Sequence, residues 1–227
     1  MDNPRINQYL VSAGLAESRR KADEIIKSGK VRINGQIATD LSYRVSKEDQ
    51  VLVSGQAGII RTNIYVVYNK PTGEICSHNT QGQSPTIFQS LPKSFAKLKI
   101  AGRLDKDSHG LVVLSSDGHF TQSISHPSQL KAKVYIVKTK QSITNDTVEK
   151  LNYGVKLEDG ISKLKTSKIK SDAIRVEMQE GRNRQIRRTL KHIGFDVVDL
   201  ERVSIGKYSN HNLKEGKFEF VKPEDIL

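Results

Sequence analysis

Apolar positions in the first sixty residues follow two spacings in turn. Ile6, Leu10 and Ala13 recur at i, i+4 and i+7, which is one face of a helix, and Gly14 stops it. Ser18 is placed to cap a second helix, Arg19–Ser28, with Ala22, Ile25 and Ile26 inward and Gly29 just past its end. VRINGQIA then reads as two short β-prone runs around Asn34-Gly35, residue types that accept the positive φ angles of a two-residue hairpin. Val51-Leu52-Val53 closes what reads as a compact, α-rich unit. Ser54–Gly58, with two glycines and no large side chain, is the expected linker.

Farther along, Ile64–Tyr68, Leu111–Leu114, Val134–Thr139, Ile174–Met178, Val197–Ile205 and Phe218–Val221 are β-prone. Phe120–Ile124 and Asn145–Leu151 read as helices, with Asp117 and Asn145 as caps, and a strongly marked helix begins near Asn183. Strands outnumber helices at irregular intervals. That predicts an α+β fold on a mixed or antiparallel sheet, not regular βαβ winding. Two domains are expected, residues 1–60 and 61–227, and no repeat of fixed period is visible.

Charge narrows the partner. Of 227 residues, 37 are Lys or Arg against 25 Asp or Glu, a net charge of +12, which points first to a polyanion such as nucleic acid. No apolar run approaches the roughly 18 residues of a membrane span, and the first residues lack a signal-peptide core, so a soluble cytoplasmic protein is expected. The single cysteine, Cys76, excludes an internal disulfide and a thiolate-rich zinc site.

The cations cluster twice. Arg5, Arg19, Arg20, Lys21, Lys27, Lys30 and Arg32 fall in the first unit, several at the start of its second helix, where N–H groups and the helix dipole favour a phosphate. A solvated helix face explains them equally well. The run SRRKADEIIKSGKVRINGQ, however, resembles the S4 RNA-binding domain across about residues 4–53. The resemblance implies docking on structured RNA through the helix and hairpin, and no chemistry. The second cluster is QEGRNRQIRRTLKHIG. At 100° per residue Arg184, Arg187, Arg188 and Lys191 share one stripe, with Ile186, Leu190 and Ile193 opposite. An exposed amphipathic helix accounts for this, and so does a cradle for phosphate or carboxylate, with backbone N–H groups at Gly181 and Asn183.

The most informative run is AGRLDKDSHGLVVLSSDG. A calcium loop fits Asp105, Asp107 and Gly110 but fails at His109 and Ser116. A polar turn with an internal Arg103–Asp link is the bland alternative. A carboxylate presented at the mouth of the buried strand Leu111–Leu114 is the catalytic one. Read alone, the run leaves these open.

The wider pattern is more specific. GRLDKDSHGLVVLSSDG resembles the "GRLDxxSxGLLLLTNDG" segment of RsuA-type ribosomal RNA pseudouridine synthases. The same family's KPxG, HPS and KxYxV segments are matched by Lys70–Gly73, by His126-Pro127-Ser128 and by Lys133–Val137. EGRNRQIRRTL and the closing LERVSIGKYSNHNLKEGKFEF follow in the family's order, with Thr189 for its Met and Ser115-Ser116 for its Thr-Asn.

The resemblance implies a long, mostly antiparallel sheet with a cleft across its middle. It implies Asp105, and not Asp107, as the catalytic carboxylate, Tyr135 as the aromatic face that holds the turning base, and Arg187 as the cation beside Asp105. Arg103, Asn183, Arg184, Gln185, Arg188 and Lys191 are expected to contact RNA with the first unit's cations. Neither metal nor cofactor is required, because the isomerisation oxidises nothing and imports no group. The partner implied is ribosomal RNA or a pre-ribosomal particle, bound by a monomer, and GVKLEDGISK leans toward the large subunit. Two other readings are an RNA-binding assembly factor without the reaction and a synthase directed at tRNA.

Overall fold

The computed structural model describes residues 3–58, 62–125, 131–210 and 212–227. Two compact units divide the chain, Met1–Asn63 and Ile64–Leu227. The expected boundary at 60/61 lies outside the described residues.

The first unit opens with α1 (Ile6–Ser12) and α2 (Arg19–Lys27), and the Ser18 hydroxyl accepts the Lys21 N–H at 3.2 Å to cap α2. β1 (Val31–Ile33) and β2 (Gln36–Ile37) form the Asn34-Gly35 hairpin; both turn residues have positive φ, as its backbone twist requires. β3 (Val51–Val53) turns into β4 (Gln56–Ala57) in the same way.

Ser54–Gly58 is therefore a hairpin and not a linker. Ser54 at φ 50° and Gly55 at φ 81° make a second two-residue turn with the geometry of the first. The four strands, ordered β2-β1-β3-β4, make the unit α+β and not α-rich. Its core joins Ile6, Leu10, Ala22 and Ile26 from the helices to Val31, Ile33 and Val51 from the sheet.

The second unit runs through β5 (Tyr65–Lys70), α3 (Ile87–Ser90), β6 (Lys99–Ala101), β7 (His109–Ser115) and α4 (Gly118–Ser125). β8 (Lys133–Thr139), α5 (Asn145–Tyr153), β9 (Val155–Leu157), β10 (Gly160–Ser162), β11 (Lys165–Lys170) and β12 (Ala173–Met178) follow. The chain closes with α6 (Gln185–His192), β13 (Val197–Ile205), β14 (Tyr208–Ser209), β15 (Phe218–Phe220) and α7 (Pro223–Ile226). Among the described residues nine strands form one sheet, ordered β11-β12-β8-β13-β7-β5-β15, with β14 on β13 and β6 on β7. The β7–β13 ladder is parallel and the others are antiparallel.

Both faces of this sheet are covered, which explains the unbroken apolar run in β7. Val112 and Leu114 face one core with Val66, Tyr68 and Tyr135, whereas Leu111 and Val113 face another with Phe120, Ile124 and Ile226. Each of these four β7 side chains is fully buried, worth about 1.5–3 kcal/mol apiece in removed apolar surface. The strand is a fixed rail for whatever precedes it.

Two helix starts differ from expectation. α5 is capped by Thr144, whose hydroxyl accepts the Thr147 N–H, and not by Asn145. α6 begins at Gln185 and not near Asn183, because Arg184 is left-handed (φ 46°, ψ 32°) and cannot continue a helix backwards.

Candidate active site

Loop 102–108 joins β6 to the buried rail of β7 and carries Arg103, Asp105, Lys106, Asp107 and Ser108. Its turn is held locally, the Ser108 N–H donating to Asp105 O at 3.2 Å. The Lys70–Gly73 segment braces it from outside, with the Gly73 N–H on Lys106 O at 2.8 Å. That brace is itself anchored. Lys70 is fully buried and its ammonium donates to Pro71 O at 2.7 Å and Glu74 O at 3.0 Å. The Glu74 carboxylate takes the Tyr68 hydroxyl at 2.9 Å and the Ser90 hydroxyl.

Between this loop, β8 and the segment leading into α6 lies a cleft of about 580 Å³. It brings together Arg103, Asp105, Tyr135, Asn183, Arg184, Gln185 and Arg187, seven residues expected at the site from positions 103 to 187. Arg188 and Lys191 do not line it. They line a second concavity of about 620 Å³ along α6, which Arg184 and Arg187 also border.

The two aspartates of the loop have different surroundings. Asp107 is bound by both Arg184 Nη1 and Nη2, at 2.8 and 2.6 Å, and lies 3.4 Å from Arg187 Nε. This paired contact holds the Asp107 carboxyl below the usual carboxylate range, against burial. Asp105 lines the cleft, about one third exposed, with Arg184 Nη1 3.8 Å from its carboxylate. The guanidinium within ion-pair range of Asp105 is thus that of Arg184, where Arg187 was expected. Arg187 instead ties the loop backbone to the start of β13, donating to Asp107 O at 2.6 Å and to Val197 O at 3.3 Å. Its side chain is mostly buried, and burial draws its pKa down against the pull of Asp107.

Tyr135 stands on β8 with its ring buried at the cleft, opposite Arg202 of β13 across their ladder. Lys133 lies two residues away on the same face, 7% exposed, and burial together with Arg202 lowers its pKa to about 8. Lys133 and Arg202 also line the cleft and are absent from the expected site residues. The signal was present in the period-two spacing of Lys133 with Tyr135 and in the closing LERVSIG segment.

Gln185 departs from expectation. It is buried, 3% exposed, and its amide donates to Ser162 Oγ at 3.1 Å and to Glu180, while its carbonyl accepts the Arg182 N–H at 3.1 Å. It closes the turn into α6 and is not presented as an RNA contact. The remaining α6 cations also meet acids, Arg188 with Asp159 and Lys191 with Asp196, both at 2.7 Å. Among the described residues no three His, Cys, Asp or Glu side chains gather as a metal site. His126-Pro127-Ser128 lies outside the described residues.

In the first unit Arg5, Arg19, Arg20, Lys21, Lys27, Lys30 and Arg32 are all exposed. Lys21 pairs with Glu24 at 2.8 Å, and Arg32 donates to Gly35 O at 2.8 Å. The other five have no acidic partner among the described residues.

The S4 domain pattern matches residues 4–51, and that of RNA pseudouridylate synthase matches residues 64–192. A ribosomal large subunit pseudouridine synthase B of Bacillus subtilis (strain 168) is 32% identical over 232 residues, 98% of this chain and 93% of that protein. An uncharacterised RNA pseudouridine synthase of Aquifex aeolicus (strain VF5) is 30% identical over 226 residues, 98% of this chain and 94% of that protein. The crystal structure of a pseudouridylate synthase matches with a TM-score of 0.69 at 28% identity, over 98% of this chain and 97% of the other. The chain belongs to the RNA pseudouridylate synthase family, with an S4 domain in its N-terminal part. Among the described residues no helix is long and apolar enough to cross a membrane.

Proposed function

We propose that this protein converts a uridine of large-subunit ribosomal RNA to pseudouridine, with Asp105 as the catalytic carboxylate. The reaction breaks N1–C1′, turns the uracil and joins C5 to C1′, leaving positive character on the sugar as the base departs. An ionised carboxylate beside C1′ and C2′ is the group this needs, either to attack C1′ or to take the C2′ proton. The observation that carries the assignment is the contrast within one loop. Asp107 is consumed by Arg184, whereas Asp105 borders the cleft beside Tyr135 with its nearest guanidinium at 3.8 Å.

Tyr135 holds the detached base against its ring, which leaves in-plane rotation free. The target base is flipped from folded RNA at a cost of a few kcal/mol. Phosphate contacts from Arg5, Arg19, Arg20, Lys21, Lys27, Lys30 and Arg32 offset that cost, with Arg103, Asn183, Arg184, Arg188 and Lys191 at the second unit. Residues 1–60 act as the RNA-docking domain and residues 61–227 as the catalytic domain of a cytoplasmic monomer, without metal or cofactor. The large-subunit target is supported by the named activity of the Bacillus subtilis relative.

The test is pseudouridine mapping of ribosomal RNA from cells with and without the protein, and with Asp105→Asn. One large-subunit site that vanishes in both the deletion and the variant is expected. Unchanged rRNA with an altered tRNA position would move the target, and full modification by Asp105→Asn would remove the carboxylate from the reaction.

A further inference from the structure

Arg202 heads the fully buried side chains by volume, yet among the described residues no carboxylate pairs with it. Its guanidinium donates to main-chain carbonyls alone: Nε to Leu111 O at 2.7 Å, Nη2 to Gly102 O at 2.6 Å and Nη1 to Arg103 O at 3.4 Å. Burying a cation without an anion is unfavourable unless its donors are well used. Here they are used on the start of one loop and on the strand that follows it. Gly102 and Arg103 begin loop 102–108, and Leu111 lies in β7 just beyond its end.

The main chain of Arg202 adds a second hold. β13 pairs in parallel with β7 at this point, Arg202 opposite Gly110. Gly110 has φ 106°, and a Cβ there would collide with the Arg202 backbone, so only glycine permits the approach. Arg202 also faces Tyr135 across the β8 ladder.

We infer that Arg202 is a positioning residue of the reaction, tying the two ends of loop 102–108 together and so fixing Asp105 against Tyr135. This rests on the assignment of Asp105 proposed above. A planar fork can span carbonyls on both sides of the loop, which a single ammonium cannot.

Arg202→Lys in the full chain tests it, with single-turnover rate at saturating RNA, RNA affinity, thermal midpoint and amide hydrogen exchange read together. The rate is expected to fall about 100-fold, as for a misplacement of about 1 Å at a reacting group. Affinity should stay within a few-fold, and exchange of residues 103–109 should quicken while that of β12 does not. Arg202→Met, which removes the buried charge at similar length, should show the same split. A folded Arg202→Lys that reacts at the wild-type rate, or keeps its loop protection, overturns the inference whatever its thermal midpoint. Failure of both variants to fold overturns it too, making Arg202 a residue of the fold alone. Asp105→Asn is measured alongside. Wild-type turnover there sinks the carboxylate assignment, whereas the exchange of loop 103–109 in Arg202→Lys reports on the tie itself.

Discussion

Helix α2 opens on Arg19, Arg20 and Lys21, and helix α6 carries Arg187, Arg188 and Lys191 with Arg184 just before its first residue, so as charge patterns they are nearly equivalent. Their surroundings are not. Arg19 and Arg20 have no acidic partner among the described residues, whereas every cation of the α6 stripe meets Asp107, Asp159 or Asp196. Exposed, unpaired cations at a helix start are available to phosphate, and each neutralised phosphate releases counterions. Paired cations have part of their charge already answered, and Arg184 and Arg187 supply geometry besides, holding the loop that carries Asp105. The difference separates a surface of free charges from one whose charges also hold the protein's own structure.

The largest effect should come from Asp105, the carboxylate that borders the cleft while Asp107 is held by Arg184. Asp105→Asn is expected to lower single-turnover rate by about 10³-fold or more, the upper range for a lost acid–base or nucleophilic group, with RNA affinity nearly unchanged. Arg187→Lys follows, with a rate loss of about 10–100-fold at saturating RNA, because an ammonium cannot reach Asp107 O and Val197 O together. If Arg187→Lys lost affinity alone and reacted normally once saturated, the two helices would play the same part and the comparison would collapse.

On α2 the readout is reversed. Arg19→Gln and Arg20→Gln should each weaken affinity and lower the slope of log affinity against log salt by about 0.7–0.9, leaving the saturated rate intact. A smaller effect lies in acid. The Asp107 carboxyl is held below its ordinary value by Arg184, so its contribution to stability is present above the unfolded value of 3.8 and is lost as pH falls through the folded one. Asp107→Asn should flatten that acid limb of an unfolding titration, which a wild-type slope in the variant would refute. The smallest change is expected for Arg188→Lys. Its pair with Asp159 is solvent-exposed, a class worth about 0–1 kcal/mol, so rate and thermal midpoint should stay close to wild type.

Apolar spacing and turn chemistry were legible wherever the determinant is local. The β7 rail, the Ser18 cap and the Asn34-Gly35 hairpin depend on a few neighbouring residues and fall where expected. Ser54-Gly55 suggests a linker because its residues are small, although the pair satisfies the same positive-φ requirement as Asn34-Gly35. Motif order placed Asp105, Tyr135 and Arg187 at one cleft. The partners of each charge were not legible, since Asp107 and Arg184 are 77 positions apart and a sequence shows a cation without its counter-charge. Gln185 and Arg202 illustrate the same limit. Polar residues read as surface until the fold supplies Ser162 or the carbonyls of Gly102 and Leu111 to bury them against.

The parallel β7–β13 ladder also sets an order of events in synthesis. Leu111 and Arg202 are 91 positions apart, so the sheet's centre cannot close until residues 197–205 have been made, and closing so distant a contact is slow relative to local ones. The first unit holds its own core within its first fifty-odd residues and needs nothing downstream to form it. A growing chain therefore completes the core of its first unit long before the centre of the second unit's sheet can close. A nascent copy stalled short of β13 carries the S4 domain without the strand that pairs β7 and β8.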